Sequence, residues 1–191
     1  MEFIIRSLQE DDLQKIDALE ERVQPYTAQD EAAVQAMYAR ATRAKQAQDP
    51  RWMDFPDLPP RTLAEEFDAF WVAEGEGENG PTLVGMVGVQ AFRAGEVMPA
   101  SHPLAHDWLE RGSVVELRRL RVAPEAREDS LGTRLCLAVI EWCREQGYHT
   151  LVVNTTTPQA PALGLYQKLG FQEAGISFID RYELVWLELI L

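Results

Sequence analysis

Cysteine, histidine and positive charge are scarce in this chain of 191 residues, which has two Cys, three His and 18 Lys+Arg against 31 Asp+Glu. The formal net charge is −13. Non-specific nucleic-acid binding depends on Lys and Arg that neutralise phosphates, and anionic membranes attract polybasic segments. We therefore expect neither nucleic acid nor a membrane as a partner, whereas the acidic balance suits a cationic substrate.

Long apolar runs are also missing. No stretch approaches the ~20 apolar residues that cross a bilayer, and the opening MEFIIRSLQEDD turns acidic too early for a signal peptide. Cys136 and Cys143 stand two helical turns apart, without a CxxC motif or a His at metal-ligand spacing. We interpret both as core residues of a cytoplasmic protein, and we expect no metal site.

The rest of the composition is typical of a globular protein, with 46% hydrophobic and 26% charged residues. The length and the lack of a composition break predict a single domain over residues 1–191. Periodicity and turn residues predict a mixed α/β chain, with residues 93–112 irregular. Strands are predicted at 3–6, 71–74, 83–92, 113–122, 151–153, 171–179 and 182–191. Helices are predicted after the capping box at 7–10 and at 30–48, 62–70, 131–146 and 161–169.

Arginine is concentrated between residues 111 and 134. The six are Arg111, Arg118, Arg119, Arg121, Arg127 and Arg134. One interpretation is an ion-paired strand face. The other is an anion site, because a strand leads through a turn into a helix that begins near Ser130–Gly132, and a helix N-terminus binds phosphate. At this turn only Gly132 remains of a GxGxxG dinucleotide fingerprint, and GxxxxGK[ST] does not occur in the chain. A glycine-containing turn equally fits plain structure.

Two segments resemble motifs of the Gcn5-related N-acetyltransferase (GNAT) superfamily. Residues 117–135 (LRRLRVAPEAREDSLGTRL) resemble motif A, a strand with VxP followed by R/QxxGxG/A at the start of a helix. Residues 162–171 (ALGLYQKLGF) resemble motif B, AxxLYxKLGF, in the family's order and spacing. Ser130 replaces the first motif-A glycine, and Gln159 replaces an Asn that often precedes the motif-B helix. The resemblance implies the GNAT acyl-CoA N-acyltransferase fold, an α/β fold whose twisted mixed sheet of about seven strands is flanked by helices.

The resemblance implies acetyl-CoA as the cofactor. Backbone N–H groups from Ser130 to Arg134 would hold the pyrophosphate, and the strand end Leu120–Val122 would pair with the pantetheine arm. The Val122 N–H would donate to the thioester oxygen as that oxygen gains charge. The expected cofactor-binding residues are Leu120, Arg121, Val122, Arg127, Glu128, Asp129, Ser130, Leu131, Gly132, Thr133, Arg134, Gln159, Tyr166 and Lys168.

Two residues are the expected catalytic pair. Tyr166 matches the motif-B tyrosine, which implies that it protonates the departing thiolate; the alternative is an aromatic that only packs. Glu116 lies where some family members carry a glutamate, which implies a general base; the alternative is a salt bridge to Arg118 or Arg119. A water-relayed base, or an amine that arrives already neutral, also stays open.

The resemblance implies an acetyl-CoA-dependent N-acetyltransferase that acts on a primary amine of a small molecule or peptide by direct attack in a ternary complex. The alternatives are a non-catalytic GNAT-fold module that binds CoA and an acyltransferase that uses a longer acyl-CoA. Residues 22–60 and 93–112 would set the acceptor, and His102 and His106 are less favoured as the base. We interpret the apolar segment 182–191 as a buried core strand. The second interpretation is a sheet edge that forms a homodimer contact.

Overall fold

The computed structural model describes residues 22–48, 66–77, 80–95, 98–126, 130–156, 159–179 and 182–191. Its strands are β1 (Arg22–Pro25), β2 (Ala69–Gly77), β3 (Gly80–Ala91), β4 (Val114–Val122), β5 (Thr150–Thr156), β6 (Gln172–Ile179) and β7 (Tyr182–Ile190). Its helices are α1 (Glu31–Gln48), α2 (Pro103–Arg111), α3 (Leu131–Glu145) and α4 (Ala160–Lys168). None of these helices is long and apolar enough to cross a membrane. The predicted strand 3–6, the helix after it and residues 62–65 of the predicted helix 62–70 lie outside the described residues. The prediction of that last helix was wrong at its end, because Ala69 and Phe70 pair with β3 as part of β2.

The seven strands form a mixed sheet in the order β1-β2-β3-β4-β5-β7-β6, which confirms the predicted α/β fold class. β4 and β5 are parallel, whereas β7 is antiparallel to both β5 and β6. The described residues fall into two compact units. We call residues 22–90 with Arg118–Val139 the N-terminal unit, and Ala91–Leu117 with Ile140–Leu191 the C-terminal unit. The prediction of a single domain stays a prediction.

In the N-terminal unit, α1 contributes an apolar face to a core built on β2 and β3. Val34 and Met37, which the helical spacing predicted to share a face, are buried with Phe70, Val72 and Met86. The strand β1, which the sequence did not predict, pairs antiparallel with β2 over its whole length. Its four residues, RVQP, contain no alternating pattern long enough to indicate a strand.

The first turns of α3 are packed tightly on β3 in the same unit. A Cβ atom built at Gly85 would lie 2.9 Å from Cδ1 of Leu135 and 3.1 Å from Cδ2 of Leu131. Just before the helix, the Ala123 N–H donates to the Val84 carbonyl at 2.7 Å. Both ends of the β4–α3 connection are therefore fixed against the neighbouring strand.

The C-terminal unit contains a helix where the sequence predicted irregular chain. The prediction for residues 93–112 was wrong over Pro103–Arg111, which form α2. The helix starts with His102, whose Nδ1 accepts the Leu104 N–H at 3.3 Å, and has Pro103 in its first turn. It buries Trp108 against the Trp186 ring, with the ring centroids 5.3 Å apart.

Both cysteines are core residues, as predicted. Cys136 and Cys143 are free thiols on α3 and have no solvent exposure. Burial raises the pKa of both thiols, to about 12 for Cys143. A thiol held neutral in this way is a poor nucleophile, so neither cysteine is a candidate for covalent chemistry.

Candidate active site

The turn from β4 into α3 offers two backbone donors. Ser130, directly before the helix, has a left-handed backbone with φ of 57°. Its carbonyl accepts the N–H groups of Thr133 at 2.9 Å and Arg134 at 3.1 Å. Helix geometry leaves the N–H groups of Leu131 and Gly132 without an acceptor inside the helix, at the positive end of its dipole. These two donors are suited to an anion.

Three residues of the predicted cofactor site, Arg127, Glu128 and Asp129, lie outside the described residues. The described arginine that flanks the turn, Arg134, is half-buried at the start of α3. It lies four residues after Ser130, in the first turn of the helix.

The end of β4 is half-buried at Leu120, Arg121 and Val122. The Arg121 guanidinium turns back along its own strand, where Nη1 donates to the Leu120 carbonyl at 2.9 Å. The Arg121 guanidinium therefore lies along the strand segment that is expected to pair with the pantetheine arm.

Two arginines of the cluster are ion-paired, which confirms the plainer interpretation for them. Arg119 contacts Glu66 at 3.1 Å in the N-terminal unit. Arg111 contacts Glu188 at 3.0 Å and also Asp107 in the C-terminal unit. Each of these two guanidiniums therefore has a carboxylate partner within its own unit.

Glu116 is almost fully buried in β4, with 1% of its surface exposed. Its Oε1 accepts a hydrogen bond of 2.8 Å from the Asn154 amide on β5. A buried carboxylate needs such partners, since the loss of solvent destabilises its charge. The sequence analysis missed Asn154; the available signal was one amide inside the apolar strand that begins LVVN.

Tyr166 is buried on α4, and its ring packs on Phe171 with the centroids 5.6 Å apart. The Phe171 N–H also donates to the Tyr166 carbonyl at 3.0 Å. This contact is the packing role that the sequence left open, and a structural role does not exclude a chemical one. The assignment of Tyr166 as the acid stays a prediction.

The remaining predicted residues of the C-terminal unit lie at the two ends of α4. Gln159 precedes the helix, and its Nε2 donates to Oγ1 of Thr156 at 3.1 Å. Its carbonyl accepts the N–H groups of Ala162 and Leu163, so Gln159 starts the helix through its backbone. Lys168 is exposed in the last turn. Glu116, Gln159, Tyr166 and Lys168 thus belong to one compact unit, and the described residues of the β4–α3 turn belong to the other.

The model of the Acetyltransferase (GNAT) family matches residues 17–171 of this chain. The chain belongs to the GNAT family. The match includes both motifs that the sequence analysis quoted, and it ends before β6 and β7. GNAT proteins are acyltransferases, and the family uses acetyl-CoA.

Individual relatives support this membership. N-acetyltransferase family 8 member 3 from Rattus norvegicus is 34% identical over 131 residues, which are 67% of this chain and 50% of the relative. N-acetyltransferase 8 from Homo sapiens is 32% identical over 137 residues, which are 72% of this chain and 51% of the relative. The chain spans about half the length of these curated relatives.

Solved structures share the GNAT fold with this chain. An N-acetyltransferase from Staphylococcus aureus Mu50 superposes with a TM-score of 0.65 at 20% identity, covering 90% of this chain and 99% of that chain. A Salmonella typhimurium protein described as an acetyltransferase and solved with acetyl-CoA has a TM-score of 0.63 at 19% identity, covering 91% of this chain and 95% of that chain. At these identities the likeness establishes the fold.

The β4–α3 turn of this GNAT chain fits the phosphates of acetyl-CoA. The GNAT motif has a glycine where this chain has Ser130, and Ser130 adopts the left-handed φ of 57° that glycine adopts readily. Ser130 thus has a backbone conformation that a glycine at this position would adopt readily. With the N–H groups of Leu131 and Gly132 at the helix end, the chemistry of the donors suits a pyrophosphate.

Proposed function

We propose that this chain transfers the acetyl group of acetyl-CoA to a primary amine of a small molecule or peptide, by direct attack in a ternary complex. The observation that carries the proposal is the start of α3, where Ser130 has a left-handed φ of 57° and the first N–H groups have no acceptor within the helix. Acetyl-CoA supplies an activated acetyl thioester. The products are an N-acetyl amine and CoA. The ammonium form of the amine gives up two of its three protons to the protein and solvent, the CoA sulfur gains one proton, and one proton is released overall.

We assign cofactor binding to the N-terminal unit. The Leu131 and Gly132 N–H groups bind pyrophosphate oxygens, and Arg134, two to three residues further on, adds positive charge. The backbone of Leu120–Val122 pairs with the pantetheine arm. The Val122 N–H stabilises the negative charge that develops on the thioester oxygen.

We assign proton transfer to the C-terminal unit. Glu116 accepts a proton from the amine nitrogen, whose lone pair then forms the new C–N bond as the C–S bond breaks. Tyr166 donates its hydroxyl proton to the departing sulfur, and solvent restores that proton. A phenol suits this role because its ordinary pKa of about 10 lies close to the value of about 8.5 for a thiol.

The acceptor is proposed to be cationic, since acidic residues exceed basic ones by 13. The segments 22–60 and 93–112, which hold α1 and α2, would set its identity. We place the reaction in the cytoplasm, which two free cysteines support. A homodimer through the last strand stays a prediction.

Two other functions are open to test. A module that binds CoA without transfer is favoured by one observation, the replacement of the first motif-A glycine by Ser130. The use of a longer acyl-CoA would need a wider acyl pocket and has no observation in its favour.

The test is release of the CoA thiol from acetyl-CoA, measured over a panel of primary amines. We expect amine-dependent release by the wild-type protein. Tyr166→Phe should lower kcat by about 10²-fold and remove the alkaline limb of the pH profile, because it deletes the proton donor. Tyr148→Phe is the matched control and should behave as wild type.

Each alternative has its own outcome in this assay. Binding of CoA with no thiol release for any amine would support the non-catalytic module. Faster release from a longer acyl-CoA than from acetyl-CoA would support the third function. An unchanged rate and pH profile for Tyr166→Phe would remove Tyr166 from the acid role.

A further inference from the structure

Asn154 holds the carboxylate of Glu116 through a hydrogen bond between neighbouring strands. The amide Nδ2 donates to Oε1 of Glu116 at 2.8 Å. The two residues are 38 positions apart in the chain, so the contact depends on the pairing of β4 with β5. Glu116 is 1% exposed, which makes solvent a poor substitute for the amide.

The register of the sheet explains why these side chains meet. Glu116 is the register partner of Val152 in the parallel β4–β5 pair. Because alternate residues of a strand share a face, Asn154 lies on the same face as Val152 and therefore as Glu116. Val114 and Val152, on the same face, belong to the buried apolar cluster beneath α2.

By strand alternation two further charged residues lie on this face: Arg118, two positions after Glu116 on β4, and Glu188 on β7. Glu188 on β7 is the register partner of Val152 and is bonded to Arg111 of α2 at 3.0 Å. Arg111 also contacts Asp107 on the same helix. The Glu188 carboxylate accepts a further hydrogen bond of 2.9 Å from the Trp108 indole. These contacts give Glu188 its own partners, whereas the Asn154 amide is directed at Glu116.

The direction of the hydrogen bond matters for the chemistry of a base. An amide N–H can only donate, so it stabilises the ionised carboxylate over the protonated one. It also fixes the side chain against rotation about its terminal torsion, which is otherwise broad. A carboxylate that is both ionised and oriented is the form that accepts a proton.

We propose that Asn154 is a positioning residue that keeps the Glu116 carboxylate ionised and oriented for proton abstraction from the acceptor amine. The inference rests on the proposed acetyl transfer. Asn154 acts through Glu116 and contacts neither substrate in this role. A purely structural role would affect stability and leave the pH dependence of turnover unchanged.

The experiment compares Asn154→Leu with wild type in amine-dependent thiol release from pH 5 to 9. Leucine has nearly the shape of asparagine but lacks the donor. We expect kcat to fall about 10-fold at neutral pH, since a hydrogen bond to a buried charge is lost. The acidic limb should move upward by about one pH unit, because the carboxylate then binds its proton more tightly. The KM for acetyl-CoA should stay unchanged.

Control variants separate this effect from a loss of stability. Thr155→Val removes a buried polar group from the adjacent position of β5 and should leave the rate and pH profile as in wild type. Asn154→Gln retains an amide and should recover part of the rate. In a Glu116→Gln background, Asn154→Leu should cause no further loss, because residues that act through one another are not additive.

The outcomes distinguish the inference from the proposed function. A wild-type protein that is inactive with every amine would overturn the proposed function and this inference with it. An active wild type with an unchanged Asn154→Leu profile, or with additive losses in the Glu116→Gln background, would overturn the inference alone. If Asn154→Leu does not fold, the Asn154→Gln profile decides. A folded Asn154→Gln protein with a reduced rate and an acidic limb moved upward supports the inference, and a rate and acidic limb equal to those of Thr155→Val reject it.

Discussion

At the scale of single residues, the most informative backbone is that of Ser130. Its φ of 57° lies in the left-handed region, which residues with a Cβ atom enter at a cost of about 1–2 kcal/mol. The GNAT motif places glycine there, and the physical reason is this conformation. Ser130 therefore retains the turn and gives up some stability for it.

Replacing Ser130 with glycine tests this explanation. Ser130→Gly should increase the free energy of unfolding by about 0.5–1 kcal/mol, since the relief of strain exceeds the added chain entropy. Ser130→Ala retains the Cβ atom and should give no increase. Urea unfolding of the three proteins measures the difference. Equal stabilisation by alanine and glycine would assign the effect to the hydroxyl and not to the backbone.

The buried thiols give a second prediction at this scale. Burial raises the folded-state pKa of Cys143 to about 12, above the ordinary value of a thiol. The contribution of the neutral Cys143 thiol to the free energy of unfolding is therefore fully present below the pKa that this thiol has in the unfolded chain. It is lost as the pH rises through the pKa of the folded state. Alkylation of the native protein should stay slow between pH 7 and 9, and both thiols should react in urea. Rapid alkylation of the native protein at pH 8 would contradict the burial of Cys143.

At the scale of elements, periodicity predicted β2 to β7 and the helices α1, α3 and α4, because their apolar patterns and glycine ends are local signals. It missed α2, where a histidine supplies the cap and a large tryptophan supplies the buried face. It also missed the short strand β1, which exists through its pairing with β2. The contact of Asn154 with Glu116 depends on strand register, which no local pattern encodes.

The packing of α3 on β3 gives a prediction at the same scale. A Cβ atom at Gly85 would lie 2.9 Å from a Leu135 methyl and 3.3 Å from Cβ of Ala73. Gly85→Ala should lower the free energy of unfolding by about 1–3 kcal/mol and weaken CoA binding, because α3 must shift where its first turn would bind phosphate.

A second glycine provides the matched control. Gly164 lies within α4, and a Cβ atom there would meet nothing within 4 Å. Gly164→Ala should stabilise the protein by up to about 1 kcal/mol through helix propensity. Thermal unfolding and CoA titration of both variants make the comparison. If Gly85→Ala were as harmless as Gly164→Ala, the close approach of α3 to β3 would be wrong.

At the scale of the whole molecule, a net charge of −13 coexists with six arginines between residues 111 and 134. Two of these, Arg111 and Arg119, are ion-paired with acidic neighbours. The number of arginines therefore overstates the positive charge that the cluster offers to an anion. The proposed cationic acceptor would be attracted over a long range by the acidic excess in the rest of the chain.

Ionic strength tests that attraction. The kcat/KM for a cationic amine should fall as salt rises from 10 to 150 mM, since the screening length shortens from about 30 to about 8 Å. For a second acceptor of similar shape, in which a neutral group replaces the extra positive charge, kcat/KM should fall less over the same range of salt. Equal salt dependence for the two acceptors would remove long-range charge as a determinant of acceptor choice.

The central claim is that this GNAT chain moves an acetyl group to an amine, and the most direct measurement follows the group itself. The protein is incubated with acetyl-CoA labelled with carbon-13 in the acetyl group and with the panel of primary amines, and the amines are analysed by mass spectrometry. The account predicts an acceptor that carries the labelled acetyl group, formed in step with free CoA. Tight binding of acetyl-CoA with the label remaining on CoA for every amine would contradict it.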